Sequence, residues 1–123
     1  MSTVALTSLR GRHHAAELTV HPQGLTIRAR VAASAARRLR GMLGRDDEAL
    51  LIVPCASVHG IGMRRTLTVA YLDRTGKVLA VKPLRPGGVH WPVRGAHAVL
   101  EVSAEAAQRW VLDSAEHIEV SLP

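Results

Sequence analysis

Between Pro54 and Leu67 the chain gathers Cys55, Ser57, His59, Met63, Arg64 and Arg65, an unusual density of chemically able side chains. A thiol paired with an imidazole suits redox or acyl-transfer chemistry, because the imidazole can take the proton that leaves a reactive thiolate. The spacing opposes that reading. In an extended segment, four residues at about 3.3 Å each separate Cys55 from His59 beyond hydrogen-bond reach, and only a turn would join them. Ser57 with His59 lacks the acidic third member and the nucleophile elbow of a hydrolase, and a serine here suits a turn. Cys55 therefore reads as a small apolar packing residue. Cys55 and His59 stand as an alternative catalytic pair within an incomplete set. Neither His59 and Cys55 nor His13, His14 and His90 show a zinc-binding spacing, so no metal or cofactor is expected.

Binding is the stronger expectation. Arg64 and Arg65 offer guanidinium groups, which favour bidentate contact with phosphate or carboxylate. Trp91 sits in a Pro/Gly-rich loop between Leu84 and Gly95, where it either plugs one end of the fold or anchors a partner. A cleft lined by Ser57, His59, Met63, Arg64 and Trp91 would make the protein a non-catalytic binding or accessory module for a small anionic ligand or a protein partner. Eight cations precede Asp46 against the single acid Glu17, and Glu101, Glu105, Asp113, Glu116 and Glu119 make the C-terminal part acidic. Weak nucleic-acid binding through the arginine-rich face is a further alternative. It is disfavoured because the only aromatics are Tyr71, Trp91 and Trp110, too few for a stacking platform.

The elements that must position these residues follow from hydrophobic period. Leu18 and Val20, the turn His21-Pro22-Gln23-Gly24, and Leu25, Ile27, Ala29 and Val31 predict a hairpin with Arg28 and Arg30 on its outer face. Ser34 predicts an N-cap for a short helix to Leu43, with Ala36, Leu39 and Leu43 on one stripe and Gly41 approached closely by another backbone. The run Ala49–Val53 predicts a buried strand. Leu67–Leu72 and Val78–Val81, joined by Asp73-Arg74-Thr75-Gly76, predict a second hairpin. Ala98–Val102 predicts a strand, Ser103 a cap for a helix carrying Glu105, Ala106, Ala107 and Trp110, and Ile118 with Val120 a closing strand. Residues 1–16 are expected as an edge strand or a loose arm. Neighbouring hairpins, two short helices and no βαβ alternation predict an α+β fold, a compact antiparallel β barrel or curled sheet.

The 123 residues fit a single domain. With 47% hydrophobic and 21% charged residues they match a folded globular chain, and their apolar runs fall far short of the roughly 18 residues a membrane span needs. One cysteine excludes an intramolecular disulfide. The net charge of +6 permits an acidic partner without naming one. Near the N-terminus Arg10 and Arg12 follow a short apolar stretch, the reverse of a secretory signal, so a cytoplasmic location is expected.

Several motifs in order carry a family resemblance: Arg40-Gly41-Met42-Leu43-Gly44-Arg45, then Pro54-Cys55-Ala56-Ser57-Val58-His59, the pair Met63-Arg64, Tyr71-Leu72-Asp73 with Gly76, Leu84-Arg85-Pro86, and Val99-Leu100-Glu101-Val102. Over roughly residues 29 to 120 the chain resembles the bacterial and archaeal domain of unknown function 192, in the branch with the Pro-Cys-x-Ser-Val-His motif. The resemblance implies a compact antiparallel barrel or curled sheet with a flanking helix, and no assigned activity. The chain departs from that pattern at Thr68, where the family usually has an acid, near Arg65 and Thr66, and at Ala115 and Glu116.

Overall fold

A computed structural model of the protein describes residues 2–9, 15–32 and 49–122. Eight strands form one sheet: β1 (Ser2–Val4), β2 (Ala16–His21), β3 (Leu25–Ala32), β4 (Ala49–Ile52), β5 (Leu67–Leu72), β6 (Val78–Leu84), β7 (Ala98–Ser103) and β8 (His117–Leu122). Their order is β1-β8-β2-β3-β4-β7-β5-β6. The sheet curls into a half-barrel whose ends nearly meet. Val78 N–H donates to the Glu116 carbonyl at 2.9 Å, Ile118 N–H donates to the Gly76 carbonyl at 2.8 Å, and Lys77 bridges His117. Gly76 is required at that seam, because a Cβ would collide with the Ile118 carbonyl and its φ is +93°.

Both hairpins form as the alternation predicts. β2 and β3 pair with Val20 opposite Leu25. In the turn between β5 and β6, the Asp73 Oδ1 atom accepts hydrogen bonds from Thr75 N (2.8 Å), Thr75 Oγ1 (2.7 Å) and Lys77 N (3.0 Å). These bonds explain why Asp, Thr and Gly occupy this turn. Ser103 caps the helix α1 (Ala104–Arg109), its hydroxyl accepting from Ala106 N at 3.1 Å.

An entirely antiparallel sheet is not what forms. β3 and β4 run parallel, with Ala29 opposite Ala49 and Ala32 opposite Ile52. Parallel neighbours need a crossover of a dozen or more residues, and residues 33–48 supply the length. The helix expected from Ser34 to Leu43, with Gly41 and the arginines at 37, 38, 40 and 45, lies outside the described residues, as do His13 and His14. Among the described residues there is one α-helix, accompanied by 3-10 turns at Leu6–Ser8 and Leu112–Ser114. The N-terminal segment supplies the edge strand β1, paired with β8.

The sheet buries apolar side chains on both faces. The inner cluster draws on β2 through β8 and α1, with Leu18, Leu51, Leu72, Leu100, Ile118 and Ala106 among its members. The outer cluster centres on β4, β5 and β7, joining Leu50, Ile52, Val69, Tyr71 and Val99 to Val58, with Ala32 of β3 and Leu84 of β6 at its margins. This two-sided burial is why Ala49–Ile52 reads as an unbroken apolar run, all four residues being buried. Glu101 stands opposite Leu50 and Val69 on the outer face and is fully buried.

Candidate functional site

Two loops, residues 53–66 and 85–97, cross the outer cluster side by side. Gly60 N–H donates to the Gly88 carbonyl (2.7 Å), Gly87 N–H to the Gly60 carbonyl (2.8 Å), His90 N–H to the Val58 carbonyl (3.1 Å) and Val93 N–H to the Ala56 carbonyl (2.9 Å). Gly60 must be glycine here, since a Cβ would collide with the Arg85 carbonyl. The loops therefore form a narrow ribbon, in which His59 stands opposite Val89.

Burial sorts the side chains of this ribbon into two sets. Val58 points inward and is buried in the outer cluster, with Cys55, Met63, Val93 and Ala96 packed beside it. His59 and Val89 stand opposite each other at the bridge, and two residues along each loop Ser57 and Trp91 are exposed. Of the five predicted cleft residues, Ser57 and Trp91 are exposed and His59, opposite Val89, is half-buried. Met63 turns toward the core, and Arg64 beyond it is exposed. Trp91 does not plug an end of the fold: it is 87% exposed, beside Val89 at 71% and Ile61 at 60%.

The atoms of the Cys55–His59 segment are committed to local contacts. The Cys55 thiol donates to the Ser57 carbonyl at 3.1 Å, and its own N–H donates to the His97 carbonyl at 2.9 Å. His59 Nδ1 accepts from the Ile61 N–H at 3.3 Å. A thiol that donates to a carbonyl is held in its protonated form, which is the less nucleophilic one. Among the described residues, no group of three or more His, Cys, Asp or Glu side chains is placed to hold a metal ion.

One arrangement here was not legible in the sequence. His90 points inward, where its Nε2 lies 2.8 Å from the Pro83 carbonyl and its Nδ1 2.6 Å from the Tyr71 hydroxyl. A carbonyl can only accept, so Nε2 donates to Pro83, and Nδ1 shares a hydrogen bond with the Tyr71 hydroxyl. The imidazole ties the Trp91 loop to the end of β5 and to β6 at once. Lys82 lies over the Tyr71 ring, 5.8 Å from its centre. The available signal was a tyrosine alternating with apolar residues on β5 and a histidine next to an unexplained tryptophan; the register that joins them is long-range.

A second polar group lies at the barrel seam. His21 Nε2 donates to Glu119 Oε1 at 3.0 Å and the Thr3 hydroxyl donates to Glu119 Oε2 at 2.9 Å, tying β1 and β2 to β8. The His21 hydrogen bond, then that of Thr3, holds the Glu119 carboxyl below its ordinary value, aided by the charges of His21 and His117. Beside this group a cleft of about 320 Å³ is lined by Thr3, Leu6, Arg74, His117 and Val120 among others. At Asp73, burial pushes the carboxyl up, but the hydrogen bonds from Thr75, Lys77 and Gly76 outweigh it and the net direction is down.

No curated protein matches the chain. Two solved structures share its fold. A protein of unknown function from Novosphingobium aromaticivorans superposes with a TM-score of 0.65 at 18% identity, covering 99% of both chains. A putative transcription regulator from Sinorhizobium meliloti superposes with a TM-score of 0.64 at 14% identity, covering 92% of this chain and 97% of the other. In sequence, residues 16–120 match domain of unknown function 192, described as "Uncharacterized ACR". With that match spanning most of the chain, the protein belongs to the domain of unknown function 192 family.

Proposed function

We propose that the protein is a non-catalytic binding module whose partner is anionic and docks on the outward face of the paired loops, at Ser57, His59, Val89 and Trp91 with Arg64 at the side. The exposure of Trp91, 87% on a backbone held by cross-loop hydrogen bonds, carries this reading. A large aromatic side chain presented to water on an ordered support contributes nothing to the core and is pre-organised for contact, since little freedom remains to be lost on binding. The committed hydrogen bonds of Cys55 and His59 support binding over catalysis.

Amide chemical-shift titration tests it, with inorganic phosphate, polyglutamate and a short-chain phosphatidylglycerol as probes. At least one probe is expected to move the amides of residues 57–64 and 87–94. If none moves them, or if a substrate screen finds turnover that His59→Ala or Cys55→Ala abolishes, the reading is wrong.

A further inference from the structure

Two features of the paired loops point beyond an unspecified anion. First, their exposed apolar side chains sit at or beside the loop tips: Ile61 between Gly60 and Gly62, and Val89 and Trp91 just after the Gly87-Gly88 turn. Six large hydrophobic residues are exposed among the described residues, and these three have the highest exposures of the six. The two loop tips that carry them lie side by side, joined by hydrogen bonds between Gly60 and the Gly87-Gly88 turn. Second, the surrounding charge has one sign. Residues 49–72 and 74–100 contain no Asp or Glu, while Arg64, Arg85 and Arg94 on these loops are exposed.

Apolar tips among cations match the profile of an anionic bilayer surface. Tryptophan favours the headgroup level, where its ring meets acyl chains and its N–H stays near water. Aliphatic side chains beside it enter the acyl boundary, and arginines bind headgroup phosphates. An acidic peptide would satisfy the same charges, but three apolar side chains projecting from loop tips suit a soft medium into which they can insert. We infer that the loop pair of Ile61, Val89 and Trp91, with Arg64, Arg85 and Arg94, is a peripheral docking surface for anionic phospholipid membranes. This rests on the binding-module reading and names the partner of the same face.

Membrane docking through this face needs no spanning segment. The attachment is reversible: one tryptophan and two aliphatic residues bury little apolar area, so the cations must supply much of the attraction, and salt must weaken it.

The test uses the full chain with large vesicles of phosphatidylglycerol and, separately, of pure phosphatidylcholine, read by co-sedimentation and tryptophan fluorescence. Co-sedimentation with phosphatidylglycerol alone is expected, weakened by added salt, together with a blue shift of emission. Trp91→Ala removes the shift and weakens binding at least about tenfold, as loss of a buried aromatic side chain implies. Arg85→Ser weakens it about fivefold, the share of one cation near an anionic surface. Both positions are exposed, and thermal melting of each variant checks that the fold is kept; Val89→Ser provides an independent variant with a smaller loss. Binding equal for both lipids, or unchanged in Trp91→Ala and Arg85→Ser together, overturns the inference. If vesicles fail while polyglutamate shifts the amides of residues 57–64 and 87–94, the partner is an acidic protein segment and only the membrane assignment falls. If neither binds, the binding-module reading falls with it.

Discussion

On the inner face of the sheet, Leu18, Leu51, Leu100 and Ile118 pack among aliphatic neighbours from nearly every strand. On the outer face, Val69, Tyr71 and Val99 are covered by loops fastened through a tyrosine, a histidine and backbone carbonyls. The strands β4, β5 and β7 serve both sides, so the difference lies in what covers them. A cover of side chains from other strands gives stability and no accessible surface. A cover of hydrogen-bonded loops leaves its own outer side free, and that side carries Ile61, Val89 and Trp91. In this protein the interior that is less uniformly apolar is the one whose cover leaves large apolar side chains exposed.

Four substitutions measure how far the two sides are separable. The largest loss is expected inside: Leu100→Ala, at a fully buried position, should cost about 3 kcal/mol through lost transfer energy and a cavity, read as a lower urea midpoint. Tyr71→Phe keeps the ring and removes the hydroxyl bonded to His90, for about 1 kcal/mol. Its distinguishing effect is local: amide exchange should accelerate at residues 88–91 more than in β2 and β8. Equal acceleration everywhere would mean that the outer cover is not a separate unit.

Asp73→Asn tests the turn that sets the barrel seam, with a loss below about 1 kcal/mol at neutral pH. The folded carboxyl is held below its ordinary value of 3.8. Its stabilisation is therefore complete above that value and is lost as pH falls through the lowered one. The gap between wild type and Asp73→Asn should accordingly close on acidification, and a gap that widens would refute this account. The smallest effect on stability belongs to Trp91→Ala, within about 0.5 kcal/mol by urea denaturation, as for exposed positions generally. A loss of several kcal/mol there would show that Trp91 packs against the fold.

Local chemistry made much of this legible in advance. The alternation of Leu18 to Val31, the turn residues Asp73 to Gly76 and the Ser103 cap each act over a few residues, and each appears as its residue types require. The parallel pairing of β3 with β4 is not encoded locally: Ala49–Ile52 announces burial on both faces, a property shared by a central antiparallel strand. Glu101 is among the residues that make the C-terminal part acidic, yet alternation along β7 puts it on the buried outer face with Val99. At the site, the types of Ser57, His59 and Trp91 were visible, while their proximity depends on two loops, separated by two strands of the sheet, meeting through Gly60 and Gly88. Met63 lay in the same motif and turned inward, because loop direction is decided by that pairing and not by sequence proximity.

β8 lies between β1 and β2, although β1 and β2 belong to the first residues and β8 to the last strand of the chain. During synthesis the ribosome releases β1, β2 and β3 long before their intervening neighbour exists. The hairpin of β2 and β3 must wait with one ladder unfilled, and β1 has nothing to pair with. Insertion of β8 between two strands made so much earlier is slow for the chain's length, since its ladders join residues about a hundred positions apart. Until β8 pairs, the β2 edge is an open ladder of the kind that invites strand addition, and the six residues from His117 to Leu122 cover it.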